Sequence, residues 1–146
     1  MRLAVPVALV SLALLVSLRE EWGGEEALIR RLRQRLRGAS ELRRAQRQVY
    51  EVLQTQPIVP LPHGSLAYTE AGAIHLTVLA GEGQPYDDLT LLHVLTHEAC
   101  HAAGERAHDA SFFARQAQCL RALAADGLLP PGVPPCPSYP ARILLA

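Results

Sequence analysis

The first long run of apolar residues lies at the amino terminus and has the sequence LAVPVALVSLALLVSL, residues 3–18. A membrane-spanning helix needs about 20 apolar residues, and the apolar part of a secretory signal about 7–15. The positions where a signal peptidase requires small residues hold Val16 and Leu18, or Leu15 and Ser17, and both pairs suit cleavage poorly. We therefore predict that residues 1–19 form an N-terminal transmembrane anchor, with a cleaved signal or a buried helix as alternatives. The side of the membrane that the rest of the chain occupies stays open.

A second pattern, with apolar residues three or four positions apart, covers residues 25–54. This spacing is typical of an amphipathic helix. Gly38 interrupts it, and Ser40 is a candidate N-cap for a second helix. Arginines fill the other faces, so we predict that residues 20–56 form an arginine-rich helical spacer. The apolar stripe consists of Leu28, Leu32, Leu36, Leu42, Val49 and Leu53.

Prolines and alternating polar and apolar residues follow from residue 57. The segment SLAYTEAGAIHLTVL, residues 65–79, predicts two short antiparallel strands around a turn at Glu70-Ala71-Gly72. A strongly apolar helix is predicted over residues 89–103, with Asp87 or Asp88 as its N-cap.

One more helix is predicted before the end of the chain, with Asp109 or Ser111 as its N-cap and Gly127 at its end. The fold class is thus α+β, with a compact unit over residues 57–129. Residues 130–146 are rich in proline and predict an irregular tail.

Composition narrows the function classes only a little. The chain has 14 basic and 14 acidic residues, so the net charge gives no sign of nucleic-acid binding, although it does not exclude it. Every basic residue is arginine, which is typical of coding bias, and we interpret the arginine-rich helices as a solvated face. Three cysteines allow one disulfide, for which Cys136 in the tail is the best candidate.

The candidate chemistry lies in HVLTHEACHAAGERAHDASFF, residues 93–113. His97, Glu98 and His101 form an HExxH motif. On a helix, positions i and i+4 lie about 40° apart around the axis, so both imidazoles can reach one zinc ion. Glu98 would stand beside the metal, where it can act as general base towards a zinc-activated water.

A catalytic zinc site needs a third protein ligand and one open position. His108, seven residues past His101 and beyond Gly104, is the best candidate. Asp109 and Glu105 are weaker candidates. His93 is either a core residue or a neighbour of the site, and Cys100 is expected in the core. His75 lies either on an exposed strand or at the edge of the cleft. An oxyanion donor could come from Tyr68, Tyr86 or Tyr139.

The stretch PYDDLTLLHVLTHEACHAAGERAHDASFF resembles the active-site segment of WLM and SprT-like zinc metallopeptidases, including YgjP-type domains. In those families a short turn and a third zinc-binding histidine follow the HExxH helix, and Asp or Ser and a bulky aromatic residue come next. The resemblance implies a minimal zincin-like domain in which His97, His101 and His108 bind Zn²⁺ and Glu98 is the base. Phe112 matches the aromatic position.

The resemblance covers about residues 65–125 and is specific over 86–113. The turn before His108 is one residue longer than in the WLM type, and a metzincin would place its third histidine at Ala107. Small anchored versions of this layout are similar to metallopeptidase-like proteins of large DNA viruses. The DNA-repair role of the families depends on segments outside the zinc core, so it is not transferred.

These features predict a membrane-anchored zinc metallopeptidase that hydrolyses peptide bonds in a protein or peptide substrate. The alternative from another class is a catalytically inactive, zinc-stabilised binding or assembly module on a membrane stalk. A third hypothesis is a stalk protein that binds no metal.

Overall fold

The apolar stripe between residues 25 and 54 folds as three helices in the computed structural model, which describes residues 24–62, 64, 66–81 and 83–133. Helix α1 spans Gly24–Arg37, α2 spans Ser40–Ala45 and α3 spans Arg47–Thr55. The interruption predicted at Gly38 is confirmed. The predicted membrane segment and Cys136 lie outside the described residues, as does most of the proline-rich tail.

The N-cap predicted for the second of these helices is wrong. Ser40 is the first residue of α2, and the N-cap position before it holds Ala39, which makes no side-chain capping hydrogen bond. The carboxylate of Asp126 accepts hydrogen bonds from the backbone N–H groups of Glu41 and Leu42, at 2.9 and 3.1 Å. A distant carboxylate therefore satisfies the free donors at this helix end, where it also complements the helix dipole.

The sheet has three strands in the order β1-β3-β2, with β1 at Ile58–Leu61, β2 at Ala67–Glu70 and β3 at Ala73–Thr77. The predicted hairpin is confirmed, because β2 and β3 pair antiparallel. Strand β1 pairs parallel to β3 and was not predicted. It contains a proline, which an edge strand tolerates better than a central one.

Two further helices complete the described fold. Helix α4 spans Asp88–Ala102 and α5 spans Ala110–Ala125. Their N-caps are Asp87, which accepts a hydrogen bond from the Thr90 N–H at 2.7 Å, and Asp109, which accepts one from the Phe112 N–H at 3.0 Å. The mixed α+β class is confirmed, and none of the helices in the described part of the chain is long and apolar enough to cross a membrane.

One hydrophobic core joins all these elements. Helix α4 packs against β2, β3, α1, α3 and α5. The leucines of α1 and α3 are buried in the same cluster as Ile74 and Leu76 of the sheet and Leu91 and Leu95 of α4. The core therefore does not divide at residue 56 into a spacer and a separate unit, and residues 24–55 belong to the domain that carries the motif.

Candidate metal centre

Helix α4 carries the HExxH motif on a segment that is buried without a break from Thr90 to Cys100. His97 and Glu98 are only 7% and 6% exposed, although ionisable side chains are seldom buried without a reason. His101 lies one turn later and is half-buried. The motif thus stands at the point where α4 leaves the core.

The chain turns back directly after α4. Gly104 has a φ of +123°, in a region that residues with a Cβ rarely adopt, and its N–H donates to the carbonyl of His101 at 3.0 Å. This reversal carries His108 back over the helix end. The glycine predicted to turn the chain towards a third ligand does occupy that turn.

The three histidines predicted as ligands come together. The Nε2 atom of His108 lies 3.1 Å from Nε2 of His97 and 3.0 Å from Nε2 of His101. Three nitrogens at Zn–N distances of about 2.0–2.1 Å in a tetrahedral arrangement lie roughly 3.3–3.4 Å apart. Both distances are within a few tenths of an ångström of that spacing, and the three ligand atoms all lie within 4.8 Å of one another, so the histidine group could hold a metal ion of this size. Within the described residues it is the one such group of His, Cys, Asp or Glu side chains.

The tautomer of His101 and the lowered pKa of His97 also favour metal binding. Nδ1 of His101 lies 2.5 Å from the backbone carbonyl oxygen of Glu105, which can only accept, so Nδ1 carries a proton and, in the neutral ring, the lone pair is on Nε2. Burial and, to a smaller extent, the neighbouring His101 and His108 lower the pKa of His97 to about 4. Neutral imidazoles with free lone pairs are the form that binds metals.

An aromatic wall supports the cluster. The ring of Phe112, one turn into α5 and fully buried, lies 4.8 Å from the ring of His97, 4.6 Å from that of His101 and 4.9 Å from that of His108, measured between centroids. A rigid apolar face of this kind limits the rotamers open to all three imidazoles. The aromatic position of the sequence motif therefore has a structural role.

Glu98 follows His97 directly in α4, and a hydrogen bond from the sheet fixes its side chain. The hydroxyl of Thr69 on β2 lies 3.0 Å from the Glu98 carboxylate and 3.1 Å from its backbone carbonyl oxygen. Burial raises the pKa of Glu98, and the hydrogen bond from Thr69 opposes that rise. A carboxyl group with a raised pKa holds a proton more readily than an ordinary glutamate, which suits a general base.

The site opens into a cleft of about 970 Å³. Its floor is the end of α4 with the three histidines, and one wall is the edge strand β2. The cleft is large enough for a segment of a peptide. Tyr68 of β2 lines it, whereas the hydroxyl of Tyr86 donates to the carbonyl of Gly64.

The remaining candidates are not part of the metal group. His75 stacks on Tyr68 at 4.5 Å, and His93 is fully buried in α4. Glu105 accepts from the Ser111 hydroxyl at 3.1 Å, and Asp109 serves as an N-cap. Sequence reasoning missed two neighbours of the site, Thr69 and the buried Gln116, because neither belongs to a local motif.

The two described cysteines form a buried pair. The Sγ atoms of Cys100 and Cys119 lie 4.0 Å apart, and both residues are free thiols. The hydrogen bond to Cys100 and burial raise the pKa of Cys119 far above its usual range. Cys100 is thus a core residue, as the sequence analysis favoured.

Comparison with protein-family models, curated proteins and solved structures finds no match. The resemblance to WLM and SprT-like metallopeptidases therefore stays a prediction carried by the motif.

Proposed function

We propose that this protein is a zinc-dependent metallopeptidase with a minimal zincin-like domain similar to those of the WLM and SprT-like families. The observation that carries the proposal is the convergence of three histidine Nε2 atoms, 3.0 and 3.1 Å apart, beside a buried glutamate. Three histidines leave one tetrahedral position open, which distinguishes a catalytic from a purely structural zinc site.

The proposed roles follow from the positions of the side chains. Zinc bound to His97, His101 and His108 would polarise a peptide carbonyl and make an attacking water more acidic. The Glu98 carboxylate accepts the proton of that water and then donates it to the nitrogen of the leaving amine. Thr69 holds the carboxylate through its hydroxyl, so that the proton acceptor keeps one orientation.

The edge strand β2 supports a peptide as the substrate class. Its outer edge faces the cleft, and an extended chain can add to such an edge through backbone hydrogen bonds that are independent of sequence. We also propose that the N-terminal apolar segment, residues 3–18, holds the domain at a membrane.

Zinc content and cleavage of unfolded casein by the full chain test this function, with Glu98→Gln as the informative variant. We expect about one zinc per chain in both proteins, because Glu98 is not a ligand. Cleavage should fall by roughly 10²–10⁴-fold in Glu98→Gln, the range of general acid–base catalysis. Glu51→Gln, an exposed glutamate on α3, is the matched control and should cleave as the wild type does.

Three results would contradict the proposal. A folded wild-type chain that binds no zinc removes the metal centre. Equal cleavage by the wild type and Glu98→Gln removes the assigned base. Zinc binding without any cleavage favours the alternative of a zinc-stabilised binding module.

A further inference from the structure

Gln116 is the least expected polar residue of helix α5. It is fully buried, and neither its amide nitrogen nor its amide oxygen makes a hydrogen bond of good geometry to any described residue. A buried amide without partners costs about 1–3 kcal/mol, so native proteins rarely keep one without a function. We therefore expect the Gln116 amide to have a hydrogen-bond partner in the functional state of the protein.

The structure places a suitable partner beside it. Nδ1 of His97 is also buried and lacks a hydrogen bond of good geometry within the described part of the chain. The Gln116 side chain nevertheless lies close enough to act on His97 as a hydrogen-bond partner. Gln116 follows Phe112 by four residues, so both project from the same face of α5, and Phe112 packs on the His97 ring at 4.8 Å.

In His101 the Nδ1 proton has a hydrogen-bond acceptor, and a metal-binding His97 requires one as well. The backbone carbonyl of Glu105 accepts the Nδ1 proton of His101, and this bond fixes both the tautomer and the plane of the ring. Metal-binding histidines almost always donate their second ring N–H in this way. Nδ1 of His97 has no hydrogen bond of good geometry to a carbonyl of any described residue, and Gln116 is the side chain that acts on this ring.

We propose that Gln116 is a positioning residue for the metal centre, whose amide oxygen accepts the Nδ1 proton of His97 and so directs the Nε2 lone pair towards the metal. This inference rests on the metal site of the proposed function. It adds a residue from α5 to a centre whose ligands come from α4 and the turn after it. Gln116 does not touch the substrate, so its effect is on metal affinity.

Zinc affinity of the full chain, measured by competition with a chromophoric chelator, tests the assignment. Gln116→Leu keeps the approximate size of the side chain and removes the acceptor, and it should bind zinc about 10–100-fold more weakly. Gln116→Glu restores an acceptor and should bind zinc at least as tightly as the wild type. Gln118→Leu, two residues on and exposed, is the matched control and should leave the affinity unchanged.

A spectroscopic measurement separates positioning from a general loss of packing. In the zinc-loaded wild type, the His97 Nδ1 proton should exchange slowly and give a nitrogen-coupled resonance, which should disappear in Gln116→Leu. Should that variant fail to fold, Gln116→Asn takes its place, because it withdraws the amide by one methylene and should also weaken zinc binding.

The outcomes are distinct. Wild-type affinity in a folded Gln116→Leu protein, or affinity in Gln116→Glu as low as in Gln116→Leu, overturns the role of Gln116 and leaves the metallopeptidase proposal intact. A wild-type chain that binds no zinc overturns the proposed function and the inference together.

Discussion

The helices of residues 24–55 and helix α4 use their polar residues in opposite ways. In α1, α2 and α3 the buried positions are apolar, and arginines such as Arg44 of α2 and Arg47 of α3 lie at the surface, with side chains 75% and 73% exposed. In α4 the buried positions include Thr90, His93, Thr96, His97 and Glu98. The helices of residues 24–55 have their polar side chains in solvent, whereas α4 has polar side chains in the hydrophobic core.

The difference shows which polar residues carry information about function. Solvated charges contribute little to stability, so the arginine surface needs no explanation beyond solubility. Buried ionisable groups cost several kcal/mol unless they are paired or bind a metal. The histidines and the glutamate of α4 therefore indicate a site, whereas the nine arginines between residues 19 and 47 do not.

The largest expected effect tests the idea that both regions share one core. Leu32→Ala removes a fully buried side chain from α1 and should lower the free energy of unfolding by about 2–5 kcal/mol. Urea unfolding of the full chain, followed by circular dichroism, measures this change. Gln34→Ala, an exposed position on the same helix, is the control and should change stability by less than about 0.5 kcal/mol.

The same variant shows whether α1 can unfold independently of α4. If Leu32→Ala unfolded α1 alone and left α4 with native protection from hydrogen exchange, the two regions would not form one cooperative unit. A single transition at lower urea concentration is the expected result.

A smaller effect concerns the buried histidine in the absence of metal. Burial lowers the pKa of His97 from 6.5 to about 4, so the unfolded chain binds a proton in this window that the folded chain does not. The free energy of unfolding should therefore be largest above pH 6.5 and fall towards pH 4, by on the order of 2 kcal/mol.

Urea unfolding of the metal-free chain at several pH values checks this dependence. The raised pKa of Glu98 acts in the opposite direction near its ordinary value of 4.5, so the measurement is cleaner in Glu98→Gln. Adding His97→Asn to that background should flatten the curve. Unchanged stability across the window in Glu98→Gln would contradict the assignment.

The sequence predicted best what local patterns encode. The hairpin follows from alternation around Glu70-Ala71-Gly72, and the spacing of the motif, with Gly104 between, predicted the histidine group. Residues that act across the fold carry no local signal. Thr69 reaches Glu98 from 29 positions away, and Asp126 caps a helix that begins 86 residues earlier, at Ser40.

The helices of residues 24–55 show the same limit. The leucine stripe predicted an amphipathic helix correctly, because the 3.6-residue period is a local property. Which surface covers that stripe depends on α4 and the sheet, which follow the stripe in the chain. A stalk and a core helix have the same pattern, and only the fold distinguishes them.

The smallest effect lies where the two regions meet at the surface. Asp88, in the first turn of α4, accepts hydrogen bonds from Arg31 and Arg35 of α1 at 2.7 and 2.8 Å. Burial alone would raise the pKa of Asp88, but these two bonds outweigh burial and lower it. The contribution to stability is thus present above pH 3.8 and is lost as pH falls through the lowered pKa.

Because the three side chains are 25–49% exposed, solvent screens much of this interaction, and Asp88→Asn should cost only about 0.5–1 kcal/mol at neutral pH. A double-mutant cycle with Arg31→Gln at low and high salt measures the coupling, which should shrink at high salt. The exposed pair of Arg47 and Glu51, 3.6 Å apart, is the control and should show almost no coupling. A cost for Asp88→Asn as large as that for Leu32→Ala would mean that surface charge, and not the shared leucine core, holds the arginine-rich helices against the metal helix.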